Sequence, residues 1–225
     1  MAMVDQRYIT ASLEDASVSI AGKQVLKNIS MTVDQAEIVV VLGENGAGKS
    51  SLLSAMAGLL PLDQGKRRLT EADGQDAAIT RVGYVLQKPV LFRRSIAGNI
   101  DYAMDAAGID QRLWPEYRRD VLNLMNITQD ERRSAFHLSQ GERQRLAVAR
   151  VLAMKPGILM LDEASNSLDK TTVSLLESHV RHLADQGMPV IWVTHSLEQA
   201  RRIADRIITI HDGEITKDCR VEAFF

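Results

Sequence analysis

The chain has 225 residues, of which 45% are apolar and 25% are charged, and its formal net charge is −2. This composition fits one large domain with an ordinary packed core and implies no broad basic face, although local basic patches can still exist. Cys219 is the single cysteine, which excludes an internal disulfide and fits a reducing compartment. The apolar runs are far shorter than the about 20 residues that span a bilayer, so we expect any membrane role to require a partner.

The first part of the chain reads as strands followed by a strand–loop–helix unit. Short alternating apolar runs in residues 10–33, with a turn at Ala21-Gly22-Lys23, predict antiparallel strands. The continuous apolar run of residues 38–42 is typical of a buried parallel strand. A glycine-rich loop follows, then a predicted helix over residues 49–58, and residues 81–86 predict another strand.

Residues 89–156 change to helical periodicity with polar breaks, after which strands and helices alternate again. Strands are predicted at residues 158–161, 190–194 and 207–210, helices at residues 170–186 and 197–204, and a hairpin turn at Asp212-Gly213. Such alternation favours an α/β fold with a parallel sheet. We therefore predict an α/β core with an N-terminal antiparallel β subdomain in residues 1–88 and 157–225, and an inserted α-helical subdomain in residues 89–156.

The glycine-rich loop matches the G-x-x-x-x-G-K-[ST] pattern that binds phosphate groups. The candidate nucleotide-binding residues are Gly43, Glu44, Asn45, Gly46, Ala47, Gly48, Lys49, Ser50 and Ser51. Glycines let the backbone approach phosphate oxygens without a Cβ clash. Lys49 is suited to reach the terminal phosphates, and the Ser50 hydroxyl is suited to ligate Mg²⁺. The alternative, a glycine-rich turn with a chance Lys-Ser pair, is disfavoured by the strand–helix context.

A second motif is the apolar strand that ends in Asp162 and Glu163. A carboxylate at the end of a buried strand is costly unless it has a cationic partner. Asp162 is therefore a candidate ligand for Mg²⁺, and Glu163 is a candidate general base that activates water. The alternative is a strand end with two solvated acids.

The third motif is Leu138-Ser139-Gln140-Gly141-Glu142, which would start a new helix in front of an anion. Ser139 and Glu142 also form the pattern of a capping box, so a plain helix start remains the alternative. One chain seldom needs two phosphate-binding signals for one nucleotide. We therefore predict that two copies of the chain face each other and that each contributes half of each nucleotide site.

These three motifs resemble those of the nucleotide-binding subunit of ATP-binding cassette (ABC) transporters, and the resemblance extends over residues 13–215. The signature of that family, Leu-Ser-Gly-Gly-Gln in its common form, stands here with Gln140 and Glu142 at two positions. The resemblance implies a P-loop NTPase (RecA-like) core. It also implies that Ser139, Gln140, Gly141 and Glu142 contact the γ-phosphate of ATP held by the opposite copy.

Three further residues match the family in order along the chain. Gln87 resembles the glutamine that joins Mg²⁺ or water to the transmembrane partner, and Asp169 resembles the aspartate of the loop that crosses the dimer interface. Asp169 can equally serve as a helix N-cap. His195 resembles the histidine that contacts the γ-phosphate, a role suited to a side chain that both donates and accepts hydrogen bonds.

One position departs from the family, which usually presents an aromatic residue that stacks on adenine. Here that position is Ile20, because Tyr8 lies too far upstream. We expect Ile20 to give weaker contact with the base than a ring, by roughly 0.5–1.5 kcal/mol. The Arg93-Arg94 pair lies where the family docks its membrane partner, although an exposed basic pair is usually only a solvated face.

The resemblance implies an ATPase that uses ATP and Mg²⁺ and drives transport through separate transmembrane subunits. Its implied partners are a second copy of itself and those membrane subunits, with no nucleic acid. It would lie in the cytoplasm on the inner face of the membrane. The first alternative is a soluble ABC-type ATPase that acts on nucleic acid or ribosomes, and the second is a nucleotide-binding regulator without hydrolysis. The interval between Lys49 and Asp162 has neither a long heptad run nor a cysteine cluster, which argues against the DNA-repair type.

Overall fold

A computed structural model of the protein describes residues 8–71, 74–78 and 82–225. Its strands are β1 (Ile9–Ile20), β2 (Lys23–Val33), β3 (Ile38–Leu42), β4 (Gln64–Glu71), β5 (Val82–Val85), β6 (Ile158–Asp162), β7 (Val190–Val193), β8 (Arg206–His211) and β9 (Glu214–Arg220). Its α-helices are α1 (Lys49–Met56), α2 (Ile96–Ala106), α3 (Trp114–Leu124), α4 (Gln140–Ala153), α5 (Lys170–Asp185) and α6 (Leu197–Ile203). Short 3₁₀ turns cover Gln111–Leu113, Ala135–His137 and Val221–Ala223.

The described strands form two sheets. The larger has the order β5-β6-β7-β3-β8-β9, and all its strand pairs are parallel except the hairpin between β8 and β9. The smaller is antiparallel, in the order β2-β1-β4. The predicted α/β fold with a parallel sheet and an N-terminal antiparallel part is therefore confirmed, as is the hairpin at Asp212-Gly213.

The larger sheet is covered on both faces, because alternate side chains of each central strand enter different apolar clusters. On β3, Val39 and Val41 pack with α1 and the antiparallel sheet, whereas Ile38 and Val40 pack on the opposite side with α4, α5 and the segment around α2 and α3. All five residues of β3 are buried. The continuous apolar run in the sequence is the consequence of this two-sided burial.

The helical stretch between β5 and β6 packs around α4. Ile100 and Met104 of α2 and Leu146 of α4 are fully buried in the same apolar cluster. The apolar side chains of residues 121–125 face this cluster: Val121, Leu122 and Met125 are buried and Leu124 is half-buried. Within residues 8–71, 74–78 and 82–225, no helix is both long and apolar enough to cross a membrane.

Most predicted elements lie within a few residues of the observed ones, but one strand was not predicted. β4 carries the polar sequence Gln-Gly-Lys-Arg-Arg-Leu-Thr-Glu, and only Leu69 of it is buried. It forms because it pairs with the edge of β1, with Leu69 opposite Ala11. The predicted strand at residues 81–86 is observed as β5, and Arg81 lies outside the described residues.

Asp205 joins three elements at the end of the sheet opposite the glycine-rich loop. Its Oδ2 accepts the backbone N–H of Ile38 at 2.8 Å, and Nη1 of Arg181 donates to both carboxylate oxygens at 2.9 Å. The backbone N–H of Asp205 in turn donates to the carbonyl of Ile38 at 3.0 Å. This carboxylate therefore fixes β3, α5 and the start of β8 to one another.

We expect Asp205→Ala to lower the free energy of unfolding by about 2 kcal/mol, because it leaves a backbone donor and a guanidinium without their shared acceptor. Asp185→Ala is the matched control, since Asp185 also pairs with Arg181, but as an exposed i,i+4 pair. That change should cost no more than about 0.5 kcal/mol. Urea unfolding of both variants measures the difference, and equal losses would contradict the anchoring role of Asp205.

Candidate functional site

One group of the candidate residues meets at the carboxyl ends of four neighbouring parallel strands. Gln87 follows β5, Glu163 follows β6, His195 follows β7 and the glycine-rich loop follows β3. These strand ends surround a cavity of about 780 Å³. Its lining consists of Val25, Gly43, Glu44, Asn45, Gly46, Gly48, Lys49, Ser50, Ser51, Gln87, Glu163, Asn166 and His195. Ligands of open α/β sheets bind at this kind of edge.

The glycine-rich loop lies tightly against the rest of the fold. Gly48 has a φ of 107°, and a Cβ at this position would lie 2.8 Å from the carbonyl oxygen of Val25. At Gly43 a Cβ would clash with the carbonyl oxygen of Ile210. Gly48 is also the N-cap of α1 and offers no side chain to the first N–H groups of that helix. Gly48, Lys49, Ser50 and Ser51 line the cavity, so this uncapped helix start is suited to bind an anion there.

Lys49 is only 5% exposed, and its side chain folds back onto the backbone of the glycine-rich loop. Nζ donates to the carbonyl of Gly43 at 2.8 Å and to that of Glu44 at 2.9 Å. A buried ammonium needs such oxygen partners to offset its desolvation. Ala47 of the loop is buried and is not among the residues that line the cavity.

Asp162 ends β6 close to Ser50 of the glycine-rich loop, whose hydroxyl lowers the pKa of its carboxyl. Tyr84 Oη also donates to Oδ2 at 3.4 Å. Asp162 is 3% exposed, and burial raises the pKa of its carboxyl, an effect that the bonds from Ser50 and Tyr84 partly offset. Burial likewise raises the pKa of Tyr84 to about 12, so its hydroxyl keeps its proton.

The second carboxylate oxygen of Asp162, Oδ1, is buried and has no hydrogen-bond partner among the described residues. An orphaned buried carboxylate oxygen beside a serine hydroxyl is a donor set that hard divalent cations prefer. Ser50 and Asp162 therefore fit a Mg²⁺ ion.

Glu163 projects from a backbone in the left-handed region, with a φ of 48°, and it is 9% exposed. Its N–H donates to the carbonyl of Val193 at 3.1 Å, which ties this strained residue to β7. Its Oε2 accepts from Gln87 Nε2 at 2.8 Å and from Asn166 Nδ2 at 2.6 Å. Left-handed backbone at a non-glycine residue is costly and is common at functional positions.

His195 is exposed and lines the cavity after β7, the neighbour of β6 in the sheet. It follows Thr194, whose Oγ1 accepts the N–H of Ser196 at 3.1 Å, and Ser196 caps α6. The ring is thus held on a short turn between β7 and α6, within reach of a ligand in the cavity.

The signature residues lie elsewhere on the chain's surface, and none of Ser139, Gln140, Gly141 and Glu142 lines the cavity. Ser139 and Glu142 form a complete capping box at the start of α4, as predicted. The Glu142 carboxylate also accepts from Gln129 Nε2 at 2.6 Å, and the bonds from Ser139 lower its pKa. Gln140 Nε2 donates to Ser167 Oγ at 3.3 Å.

Two predicted nucleotide-binding residues also lie away from the cavity lining. Ile20 is 46% exposed at the end of β1, and Asp169 caps α5 by accepting the N–H of Thr172 at 3.0 Å. Conversely, Val25 and Asn166 line the cavity and were not predicted. Val25 follows Ile20 by five residues, in β2, and Asn166 follows Glu163 by three, so nearness in sequence to a predicted residue was the available signal for both.

Comparisons with known proteins agree with this fold. A family model described as ABC transporter matches residues 26–166. The chain is 39% identical over 210 residues to the Fe(3+) ions import ATP-binding protein FbpC of Streptomyces coelicolor, covering 92% of this chain and 60% of that protein. It is 33% identical over 227 residues to the phosphate import ATP-binding protein PstB 2 of Natronomonas pharaonis, covering 91% of this chain and 78% of that protein.

Solved structures give the same fold. The structure of an ATP binding subunit of an ABC transporter superposes with a TM-score of 0.87 at 21% identity, covering 95% of this chain and 90% of that one. A bacterial Atm1-family ABC exporter with ATP bound superposes with a TM-score of 0.82 at 25% identity, covering 97% of this chain and 39% of that one. The chain thus spans about 60% of the length of the iron-import relatives it matches.

Asp162→Asn should stabilise the folded protein at pH 7.5 in the absence of nucleotide and metal. Because burial raises the pKa of Asp162, its carboxyl binds a proton more tightly in the folded protein than in the unfolded chain. The free energy of unfolding therefore falls as the pH rises above the ordinary pKa range of an aspartate. We expect the melting temperature to rise by about 2–4 °C, which corresponds to about 1 kcal/mol for a domain of this size. Differential scanning calorimetry measures the change.

The gain should shrink as the pH falls towards the ordinary pKa range of an aspartate. Asp120→Asn is the matched control, because Asp120 is exposed on α3 and its replacement should leave the melting temperature unchanged. Destabilisation by Asp162→Asn at pH 7.5 would contradict the account.

Proposed function

The chain belongs to the ABC transporter family, and from this premise we propose that it binds and hydrolyses ATP as a pair of copies to drive transport through separate membrane subunits. The observation that carries the proposal is the meeting of Lys49 and Ser50 with Asp162 and Glu163 at one sheet edge. That arrangement places a cation and backbone N–H groups, which can bind phosphates, beside carboxylates that can bind a metal ion and activate water. ATP is the substrate of the reaction.

Phosphate binding is assigned to the glycine-rich loop and the start of α1. Lys49 Nζ already contacts carbonyl oxygens and can exchange them for phosphate oxygens, which carry more negative charge. The backbone N–H groups of the loop then surround the same phosphates, and the helix dipole adds partial positive charge. Val25 offers an apolar surface at the mouth of the cavity.

Ser50 and Asp162, with the amide oxygen of Gln87, would hold Mg²⁺, which supplies positive charge that neutralises the phosphates. Glu163 acts on water: its carboxylate takes a proton while the water oxygen forms a bond to the γ-phosphorus and the bond to the ADP oxygen breaks. His195 faces the same space and can donate to a γ-phosphate oxygen.

Two copies are required because the signature residues Ser139 to Glu142 lie outside the cavity of their own chain. Ser139 starts the 14-residue helix α4, whose N-terminal N–H groups suit an anion supplied by another chain. In this proposal each copy closes the other's site, and hydrolysis reopens the pair. Asp169 is tied to α4 by an ion pair with Arg145 at 3.6 Å. Gln140, the first residue of α4, donates a hydrogen bond to Ser167.

The membrane subunits are assigned to an apolar groove beside Gln87. Val90, Phe92 and Phe136 line it with 62%, 41% and 63% exposure, and Arg93 lies at its edge. Exposed apolar side chains in a contiguous groove indicate an interaction surface. The groove belongs to residues 89–156, which we assign as a helical subdomain inserted in a core of residues 1–88 and 157–225. Contact with membrane subunits through this groove would place the protein at the inner face of a membrane.

Relatives in sequence support one type of transport. Several of them are named for import of iron(III), phosphate and sulfate or thiosulfate. We therefore propose import of a small ion for the complex to which this chain contributes ATP hydrolysis. The membrane subunits and their binding partners would select that ion.

Glu163→Gln should reduce ATP hydrolysis by on the order of 100-fold or more, because the amide cannot take the proton from water. It should also leave ATP binding intact and accumulate an ATP-bound pair of chains. Phosphate release measures the first effect, and size-exclusion chromatography with chemical crosslinking at saturating ATP measures the second.

The matched control for that experiment is Glu198→Gln, an equivalent change at an exposed position of α6. It should hydrolyse ATP at the parental rate and form no lasting pair. A Glu163→Gln protein that hydrolyses ATP normally, or that neither pairs nor crosslinks with ATP, would contradict the proposal.

Ile20→Tyr should bind ATP about two- to tenfold more tightly than the parent, since a ring can stack on adenine where an aliphatic chain cannot. Ile20 is 46% exposed, so the larger side chain has room. Isothermal titration with ATP and with GTP measures affinity and base preference. Ile20→Leu is the aliphatic control, and a tyrosine variant that behaves like it would contradict this role for Ile20.

A further inference from the structure

The Glu163 carboxylate is held from one side by two amide groups. Asn166 Nδ2 donates to Oε2 at 2.6 Å, and Gln87 Nε2 donates to the same oxygen at 2.8 Å. Among the described residues, both of these hydrogen bonds are accepted by Oε2. The other carboxylate oxygen, Oε1, is therefore available to another group. Asn166 also lines the cavity, so this contact lies at the site itself.

The two donors differ in how firmly they are placed. Gln87 is an exposed residue in the loop after β5, and its side chain has three rotatable bonds. Asn166 belongs to the same turn as Glu163, because its backbone N–H donates to the Glu163 carbonyl at 3.1 Å. A shorter side chain on a turn that is itself hydrogen bonded loses less conformational entropy when it makes the contact.

The turn that carries Asn166 is anchored on both sides. Ser165 Oγ donates to Gln199 Oε1 at 3.2 Å, which links the turn to α6. On the other side, Asp169 caps α5. Asn166 is therefore presented from a fixed backbone, and only a side chain as long as its own reaches Oε2. Serine or alanine at this position would end at least one bond short.

We propose that Asn166 is a positioning residue for hydrolysis: it fixes Oε2 of Glu163 so that Oε1 faces the attacking water. The proposal rests on the proposed function, in which Glu163 receives the proton of that water. Asn166 does not touch the reacting atoms. It restricts a glutamate side chain that would otherwise sample several rotamers in front of the cavity.

Asn166→Ala and Asn166→Asp test this in the full chain. Alanine removes the side chain, and aspartate keeps its shape but places an oxygen where the N–H donor was. Both should lower kcat for ATP hydrolysis by about 10- to 100-fold, the range expected for loss of a hydrogen bond to a charged group. The KM for ATP should stay within about twofold, since the residue contacts no phosphate-binding group.

Asn123→Ala is the matched control, because Asn123 is exposed on α3 and should leave kcat and KM unchanged. A lowered kcat at unchanged KM and unchanged melting temperature supports positioning. Parental kcat in both Asn166 variants, while Glu163→Gln is inactive, would overturn this inference and leave the proposed function standing. Parallel losses in KM and melting temperature would make Asn166 structural and overturn it too. Parental activity in Glu163→Gln would overturn both proposals.

Discussion

The adjacency of four parallel strand ends is the constraint on which the candidate site depends. β5, β6, β7 and β3 are neighbours in one sheet, so the residue that follows each strand is delivered to the same edge. Their order is fixed by two-sided burial, in which alternate side chains such as Val40 and Val41 enter different apolar clusters. A shift of one residue in any of these strands would exchange its two faces and also move its terminal side chain out of the cavity.

Several residues of the candidate site adopt arrangements that lower the stability of the folded protein. Asp162 is a buried acid with an unpartnered oxygen, Lys49 is a buried ammonium, and Glu163 adopts left-handed backbone. Each arrangement is unfavourable for folding alone and is favourable for binding a charged substrate with its metal. The apolar clusters and the Asp205 anchor at the opposite end of the sheet supply the stability that tolerates these costs.

The sequence was sufficient for features that local pattern determines. Continuous apolar runs located β3, β6 and β7, and Ser139 with Glu142 predicted the capping box of α4. Features that arise only from tertiary pairing were missed. β4 is polar and forms because β1 offers a free edge. The contact between Asn166 and Glu163 depends on a turn geometry that no periodicity reports, and the position of Ile20 outside the cavity lining depends on how β1 ends.

The central claim is that a complete site needs the glycine-rich loop of one copy and the α4 N-terminus of another. Mixing two inactive chains tests it most directly: Lys49→Ala, which lacks the phosphate-binding cation, and Ser139→Arg, which blocks the signature helix. In a mixed pair, one site combines the intact loop of the second chain with the intact signature of the first. The account predicts that ATP hydrolysis appears on mixing at a rate far above the sum of the separate chains. Activity that stays at that sum, with both variants folded, would contradict it.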